Sequence, residues 1–180
     1  MTETHSTTVR APSGDELRQP SFIASQELAD ALQQVHVDLI ELHVQGKQAH
    51  WNVVGKNFRD LHLQLDEIVD SARGFSDAVA ERMRAVYITP DGRSATVAAQ
   101  TRLPPFPEGE VDTGDTVNLI TQRMYAVTST MRDVHDTVDE ADPTSADILH
   151  GIIERLEQLA WMVSSENRVA NTSAPRPIHE

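Results

Sequence analysis

The stretch that decides the fold runs from residue 58 to residue 86 and reads FRDLHLQLDEIVDSARGFSDAVAERMRAV. Its apolar side chains recur at spacings of three and four residues, and no proline interrupts them. They are Phe58, Leu61, Leu65, Ile68, Ala72, Phe75, Val79, Met83 and Val86. The pattern predicts a single helix, which at ~1.5 Å per residue would be about 43 Å long. A helix of this length with one apolar stripe is typical of a helical bundle.

Three further segments show the same helical period. The first begins near residue 21, and the other two lie on either side of Asp142-Pro143. Their apolar positions are Leu28, Leu32, Val35, Leu39 and Leu42; then Val117, Ile120, Met124, Val127, Met131, Val134 and Val138; and finally Ile148, Ile152, Leu156, Leu159 and Val163. Four such stripes predict an all-α four-helix bundle that occupies residues 21–168.

The connection between the second and third of these helices, from Thr89 to about Asp115, is much longer than the other two and contains four prolines. A long crossover lets the helices that it joins run parallel, as in ferritin-like bundles. Residues 94–100 inside the crossover are predicted to form a short helix. The polar, proline-containing segments 1–20 and 169–180 are predicted to be flexible tails.

The composition excludes several classes of protein. A chain of 180 residues is enough for one core but too short for two comfortable domains. Because the chain has no cysteine, any metal must bind to imidazole, carboxylate or backbone oxygen. No apolar run approaches the ~20 residues of a membrane span, and the N-terminus lacks a signal-peptide pattern, so we expect a cytoplasmic protein. The net charge of −13 opposes a general nucleic-acid surface and favours cations, although a well-solvated acidic protein has the same balance.

Two pairs of metal-binding side chains lie on the long second helix. His62 and Asp66 are four residues apart, as are Asp77 and Glu81, so each pair projects from one face. The pairs are about 16 Å apart along the axis, at ~1.5 Å per residue, and cannot share an ion within one straight helix. Either they are unrelated surface features, or a second, antiparallel copy of the helix brings its Asp77 and Glu81 to the first copy's His62 and Asp66.

A further histidine, His50, lies at the end of the first helix and is held near His62 by the intervening turn. Two imidazoles and three carboxylates suit ferrous iron, with Zn²⁺ or Mn²⁺ as competitors. The Glu-x-x-His pattern of di-iron sites inside one bundle does not occur in the sequence.

His36 and His43 recur seven residues apart, too far along a helix to share a metal with His50. They are predicted to be ordinary interface or surface residues, with an auxiliary metal site as the alternative.

The stretch from Lys47 to Asp66, KQAHWNVVGKNFRDLHLQLD, followed by Asp77 and Glu81, resembles the signature of the Dps family, the bacterial mini-ferritins. The spacing H-x11-H-x3-D-x10-D-x3-E is matched at every position, and the resemblance covers roughly residues 22–168. It implies a hollow dodecamer of four-helix bundles that oxidises Fe(II) at subunit interfaces, preferably with hydrogen peroxide, and deposits ferric mineral inside. It also implies the ligands and catalytic residues: His50, His62 and Asp66 from one subunit, with Asp77 and Glu81 from its two-fold partner.

Trp51, beside His50, resembles the family tryptophan near this site, which would absorb stray oxidising equivalents. The alternative is a packed aromatic side chain at the end of the helix.

Six acidic residues lie between residues 133 and 147. A solvated helix end with capping carboxylates would account for them without any function. By resemblance to the family, acids of this region line three-fold pores through which iron enters, attracted by their negative potential. Asp142 and Asp147 are the predicted pore residues.

The two tails depart from those of Dps proteins that coat DNA with lysine-rich tails, because neither residues 1–20 nor residues 169–180 contain a lysine. With a subunit charge of −13, attraction to phosphate should be weak and easily screened by salt. We therefore expect a ferroxidase and iron store that binds DNA weakly or not at all. One alternative is a nucleoid-associated protein that shields DNA physically, and another is a metal-binding helical protein without turnover.

Overall fold

Four long helices form the bundle in a computed structural model that describes residues 22–170. They are α1 (Gln26–Asn52), α2 (Phe58–Ala85), α4 (Thr113–Ala141) and α5 (Pro143–Ser164), with a short helix α3 (Ser94–Gln100) in the crossover. Two short strands, β1 (Val53–Val54) and β2 (Val111–Asp112), pair in parallel. The predicted all-α four-helix bundle with a short crossover helix is confirmed. The predictions for the two tails fall almost wholly outside the described residues.

Helix α1 begins at Gln26 rather than near residue 21. Ser25 has extended backbone angles, and its hydroxyl accepts a hydrogen bond of 3.2 Å from the backbone N–H of Leu28. A serine in this position satisfies one of the N–H groups that have no partner inside a helix, and so fixes where the helix starts. The apolar residues Phe22 and Ile23 before it are exposed and add nothing to the core.

The interior is built from the apolar stripes of the four long helices. Its largest fully buried side chains are Leu28, Leu32, Leu39, Leu42, Leu65, Ile68, Met83, Ile120, Met124, Met131, Leu149 and Ile152. Burial of each such side chain is worth about 1.5–3 kcal/mol relative to exposure, which holds the helices together. Phe58 was predicted to be part of the stripe but is 44% exposed, and its ring packs on His62 instead. Within residues 22–170, every helix is too short or too polar to span a lipid bilayer.

The strand pair sets the direction of the helices. β1 follows the end of α1, β2 precedes the start of α4, and Val53 pairs with Val111. The starts of α2 and α4 therefore lie at the same end of the bundle, so these two helices run parallel. This is the arrangement that the long crossover predicts.

Buried polar side chains attach the crossover to the bundle. The guanidinium of Arg123 donates to the carbonyl of Pro105 at 2.8 Å and to the side-chain oxygen of Gln45 at 2.5 Å. Asp38, fully buried on α1, accepts a hydrogen bond of 2.8 Å from the backbone N–H of Arg102. Because prolines between α3 and β2 lack N–H donors, this part of the crossover is held by side chains of α1 and α4, and a backbone ladder begins only at β2.

Candidate functional site

A tight turn places the end of α1 against the start of α2. Gly55 has a φ of +125°, in the region that favours glycine. A Cβ atom there would also lie 2.9 Å from Asp112 Oδ2, closer than real contacts allow, and 3.0 Å from Thr113 Oγ1, which is tighter than most real contacts. The position therefore requires glycine for both conformation and space, and the turn that it permits brings His50 beside the first turns of α2.

His50 and His62 stack on each other across this turn, with ring centroids 3.6 Å apart and planes 25° from parallel. The Nδ1 atom of each ring lies 3.0 Å from the backbone carbonyl oxygen of the other residue. Since a carbonyl can only accept, each Nδ1 carries a proton and donates it. In the neutral form, the lone pair of each ring is then on Nε2, which has no hydrogen-bond partner among residues 22–170. The two imidazoles are held in the tautomer that binds a metal through Nε2.

The carboxylate of Asp66 lies beside this pair and is bound to a lysine. Its Oδ1 is 2.5 Å from Lys47 Nζ and 3.3 Å from His50 Nδ1. The hydrogen bond from Lys47 lowers the pKa of Asp66 below its ordinary value, against a smaller opposing effect of burial. Asp66 is therefore held ionised, as a metal ligand must be. The sequence prediction missed this partner, although Lys47 precedes His50 by three residues on the same face of α1.

Asp77 and Glu81 are exposed on the same helix as His62 and Asp66. Because α2 is continuous from Phe58 to Ala85, Asp77 lies about 16 Å from Asp66 along the axis, at ~1.5 Å per residue. The chain places His50, His62 and Asp66 side by side but leaves Asp77 and Glu81 apart from them. In the part of the chain that the structure describes, no three His, Cys, Asp or Glu side chains converge closely enough to hold an ion.

His36 and His43 have surroundings different from those of His50. His36 is buried, and its Nδ1 donates a hydrogen bond of 3.0 Å to the carbonyl of Ser76, which links α1 to α2. Burial lowers the pKa of His36, against that hydrogen bond. Burial also lowers the pKa of His43, with the charges of Arg73 and Lys47 acting in the same direction. The link between helices favours an ordinary structural role for His36 over an auxiliary metal site.

The predicted near-site and pore residues have contrasting environments. Trp51 is 70% exposed, so it is not a packed aromatic side chain of the core. Asp147 is exposed at the start of α5. Asp142 is buried and its carboxylate lies 2.6 Å from Arg82 Nη2, with Ser145 as a second donor. The pairing with Arg82 favours a structural role for Asp142 over its predicted role in a pore. Asp147 is then the remaining candidate for a pore residue.

Several known proteins are similar to this chain in fold and sequence. The ferritin-like domain family matches residues 29–169. The DNA protection during starvation protein 2 of Deinococcus radiodurans is 34% identical over 74% of this chain, and the match spans 55% of that longer protein. The fine tangled pili major subunit of Haemophilus ducreyi is 35% identical over 76% of this chain and 72% of its own length.

Among solved structures, the Dps protein of Microbacterium arborescens in its high iron form is similar to this chain with a TM-score of 0.75 and 32% identity. The similarity covers 82% of this chain and 99% of that one. Sequence, fold and the spacing of the histidines and carboxylates on α1 and α2 therefore agree, and the chain belongs to the Dps family of ferritin-like proteins.

Proposed function

We propose that this protein oxidises Fe(II) with hydrogen peroxide and stores the ferric product inside a hollow dodecamer, which protects the cell from oxidative damage. Membership of the Dps family supports the proposal, as does a relative that is known in a high iron form. A cytoplasmic place of action belongs to the same proposal. The ferroxidase sites lie between two-fold related subunits: His50, His62 and Asp66 come from one, and Asp77 and Glu81 from the other.

The reciprocal hydrogen bonds between His50 and His62 carry this proposal. Each backbone carbonyl fixes the tautomer of the opposite ring and leaves its Nε2 as the available ligand atom. A purely structural stack would not need both Nε2 atoms to be without a hydrogen-bond partner among residues 22–170. The turn with Gly55 and the stacking hold the two rings in place before the ion arrives, so little conformational entropy is lost on binding.

The second half of the site is open to a partner. Asp77 lines a cavity of about 580 Å³ together with Asp70 and Arg73, so the surface around it can accept another chain. In an isologous interface each subunit gives its histidines to one site and its carboxylates to the other. Such a dimer would gather five ligands at each site although one chain gathers no complete set.

Iron is the substrate in this scheme, and the side chains hold and orient it. Two Fe(II) ions each give one electron to one molecule of hydrogen peroxide, which takes up two protons and leaves as two molecules of water. The ionised Asp66 offsets the growing positive charge on iron, and the Nε2 atoms of His50 and His62 hold the ion in place. Trp51, exposed beside His50, would absorb stray oxidising equivalents, and Asp147 would line the pore through which iron enters. Zn²⁺ and Mn²⁺ would compete for the same ligands.

The direct test is the rate of Fe(II) oxidation by peroxide, followed by the absorbance of the ferric product. We expect His50→Ala and His62→Ala to lose at least tenfold of the catalysed rate, since loss of even an outer-shell partner costs about 10–100-fold at metal sites. His43→Ala is the matched control, because it removes a half-buried histidine one heptad earlier on α1 and should keep the rate. If the unsubstituted protein oxidises Fe(II) no faster than a protein-free solution, it is a metal-binding protein without turnover.

A second candidate function is the physical shielding of DNA in the nucleoid. The names of several relatives, DNA protection during starvation proteins, favour it. The net charge of −13 and the absence of lysine from residues 1–20 and 169–180 oppose it, because affinity for DNA comes mainly from neutralisation of phosphates by Lys and Arg. We therefore place iron oxidation and storage first.

A further inference from the structure

A second pair of histidines joins α4 to α5 at the end of the bundle opposite to His50 and His62. His135 lies near the end of α4 and His150 near the start of α5. Their Nε2 atoms are 2.7 Å apart, and their ring centroids are 4.9 Å apart. The two nitrogens therefore point at each other, on a surface that the proposed ferroxidase site does not use.

The other nitrogen of each ring faces a carboxylate. His135 Nδ1 lies 3.1 Å from Asp136 Oδ1, and His150 Nδ1 lies 3.7 Å from Asp147 Oδ1. The contact of His135 with Asp136 is a hydrogen bond, so its Nδ1 carries the proton and its lone pair is on Nε2, whereas the distance of 3.7 Å between His150 and Asp147 is too long for a hydrogen bond and leaves the tautomer of His150 open. Two nitrogens 2.7 Å apart need a hydrogen or a metal ion between them, and in the unoccupied pair the Nε2–H of one ring can donate to the Nε2 of the other. Either a shared proton or a metal ion meets this requirement.

The surroundings favour a metal ion. A carboxylate hydrogen-bonded to the far nitrogen, as Asp136 is to His135, is the usual support of a metal-bound imidazole, and Asp147 lies near the corresponding nitrogen of His150. Two imidazole nitrogens on one Zn²⁺, each at about 2.0–2.1 Å, lie roughly 2.8–3.4 Å apart for angles between square and tetrahedral, so the rings need to open by less than about 1 Å. Both side chains are partly exposed and can move by this amount.

A carboxylate that can become a third ligand by a change of side-chain conformation lies within one helical turn. Glu154 follows His150 by four residues on α5, and both line a cavity of about 470 Å³. The neighbouring Glu157 is held by Arg132 at 2.5 Å, which also neutralises that cation. Within residues 22–170, Glu154 takes part in no ion pair, so it can turn toward the histidines.

We propose that His135 and His150 bind a divalent transition-metal ion, Zn²⁺ or one of similar chemistry, through their Nε2 atoms. Glu154 and water complete its coordination, and Asp136 and Asp147 orient the two imidazoles. The bound ion joins the end of α4 to the start of α5. This site shares no residue with the five ferroxidase ligands, so it does not depend on the proposed oxidation of iron, although Asp147 is also the proposed pore residue.

The test uses the full-length oligomer and ZnCl₂. Anomalous diffraction at the zinc edge from crystals soaked with ZnCl₂ should show an ion about 2.0–2.1 Å from both Nε2 atoms. In calorimetric titrations on a His62→Ala background, which weakens zinc binding at the other histidine pair, His135→Ala or His150→Ala should abolish one binding event per chain. Asp136→Asn should weaken that event about 10–100-fold.

The outcomes are separable from those of the iron assay. If His135→Ala leaves the rate of iron oxidation intact but removes the zinc event, the site is confirmed as distinct. No zinc between the rings, zinc bound only at millimolar concentration, or an affinity unchanged by both alanine substitutions would overturn the proposal. The diffraction measurement needs no variant, so it decides the matter even if a substituted chain does not assemble.

Discussion

At the residue scale, the candidate site depends on hydrogen bonds that cannot be read from the sequence. It could be predicted that His50, His62 and Asp66 lie close together, because helical geometry and the family motif both indicate it. The reciprocal bonds from each ring to the other backbone could not, since they depend on how the Gly55 turn closes. The same holds for Lys47, whose contact with Asp66 arises only when α1 and α2 pack.

Asp142 offers a test of stability against pH. Burial raises its pKa, but hydrogen bonds from Ser145 and Arg82 outweigh burial, so the pKa lies below its ordinary value. A carboxyl whose pKa is lower in the folded state stabilises the fold at neutral pH and loses that effect as the pH falls through its folded pKa. We expect Asp142→Asn to lower the free energy of unfolding by about 2 kcal/mol at pH 7. The loss should shrink as the pH falls below 3.8, the ordinary value.

Urea unfolding at pH 7 and at successively lower pH measures this difference. Asp139→Asn is the matched control, because Asp139 is exposed near the same end of α4 and should change stability by less than about 0.5 kcal/mol. A difference for Asp142→Asn that stays constant down to the lowest pH would mean that the ion pair does not supply the stability.

Two glycines should respond in opposite directions to the same substitution. Gly55→Ala forces a Cβ into the φ of +125° and against Asp112 and Thr113, so it should destabilise the protein by about 1–3 kcal/mol. Gly151→Ala lies in α5 with nothing within 4 Å of the new Cβ, and should stabilise by about 0.5–1 kcal/mol. Thermal unfolding of both variants checks this, and equal shifts in the same direction would contradict the account of the turn.

At the scale of elements, the helices could be predicted from the sequence, but the contacts that join them could not. The stripes on the four long helices and the short helix over residues 94–100 were predicted because apolar period and proline placement are local signals. The strand pair of Val53 and Val111 joins residues far apart in the chain, and a two-residue strand has no period to detect. The start of α1 was misplaced because the Ser25 cap, rather than the apolar residues before it, determines where the helix begins.

The buried guanidinium of Arg123 should hold the crossover against the bundle. Replacement by methionine removes its bonds to Gln45 and to the carbonyl of Pro105, so we expect a loss of about 1–3 kcal/mol in stability and faster hydrogen exchange in residues 101–106. Arg132→Met on the same helix removes only a surface pair with Glu157, worth about 0–1 kcal/mol. If both variants show equal exchange in the crossover, the buried guanidinium does not hold it.

At the scale of the whole molecule, the net charge distinguishes the two candidate functions, storage of iron and shielding of DNA. Each chain carries −13, so an oligomer repels phosphate over distances of about a Debye length, ~8 Å at physiological salt. We predict no gel shift of duplex DNA by the purified oligomer at about 0.15 M salt. A clear shift there would favour the nucleoid function.

The proposed sharing of sites is a property of the assembly, and a single sequence bears on it only through the distance between the two pairs of ligands on α2. Eleven residues along one continuous helix separate Asp66 from Asp77, so one chain cannot close the ligand set. In the single chain, Asp77 and Glu81 are exposed and the two histidines have fixed tautomers, as the proposed shared site requires.

The central claim is that each ferroxidase site is shared by two subunits, and mixed oligomers test it most directly. Subunits with His62→Ala and subunits with Asp77→Ala are each expected to oxidise Fe(II) at the uncatalysed rate when assembled alone. After unfolding and reassembly of an equal mixture, half of the dimers are mixed and each has one intact site, so activity should return to about a quarter of the unsubstituted level. A verified mixed oligomer that remains as inactive as its parents would contradict the shared site.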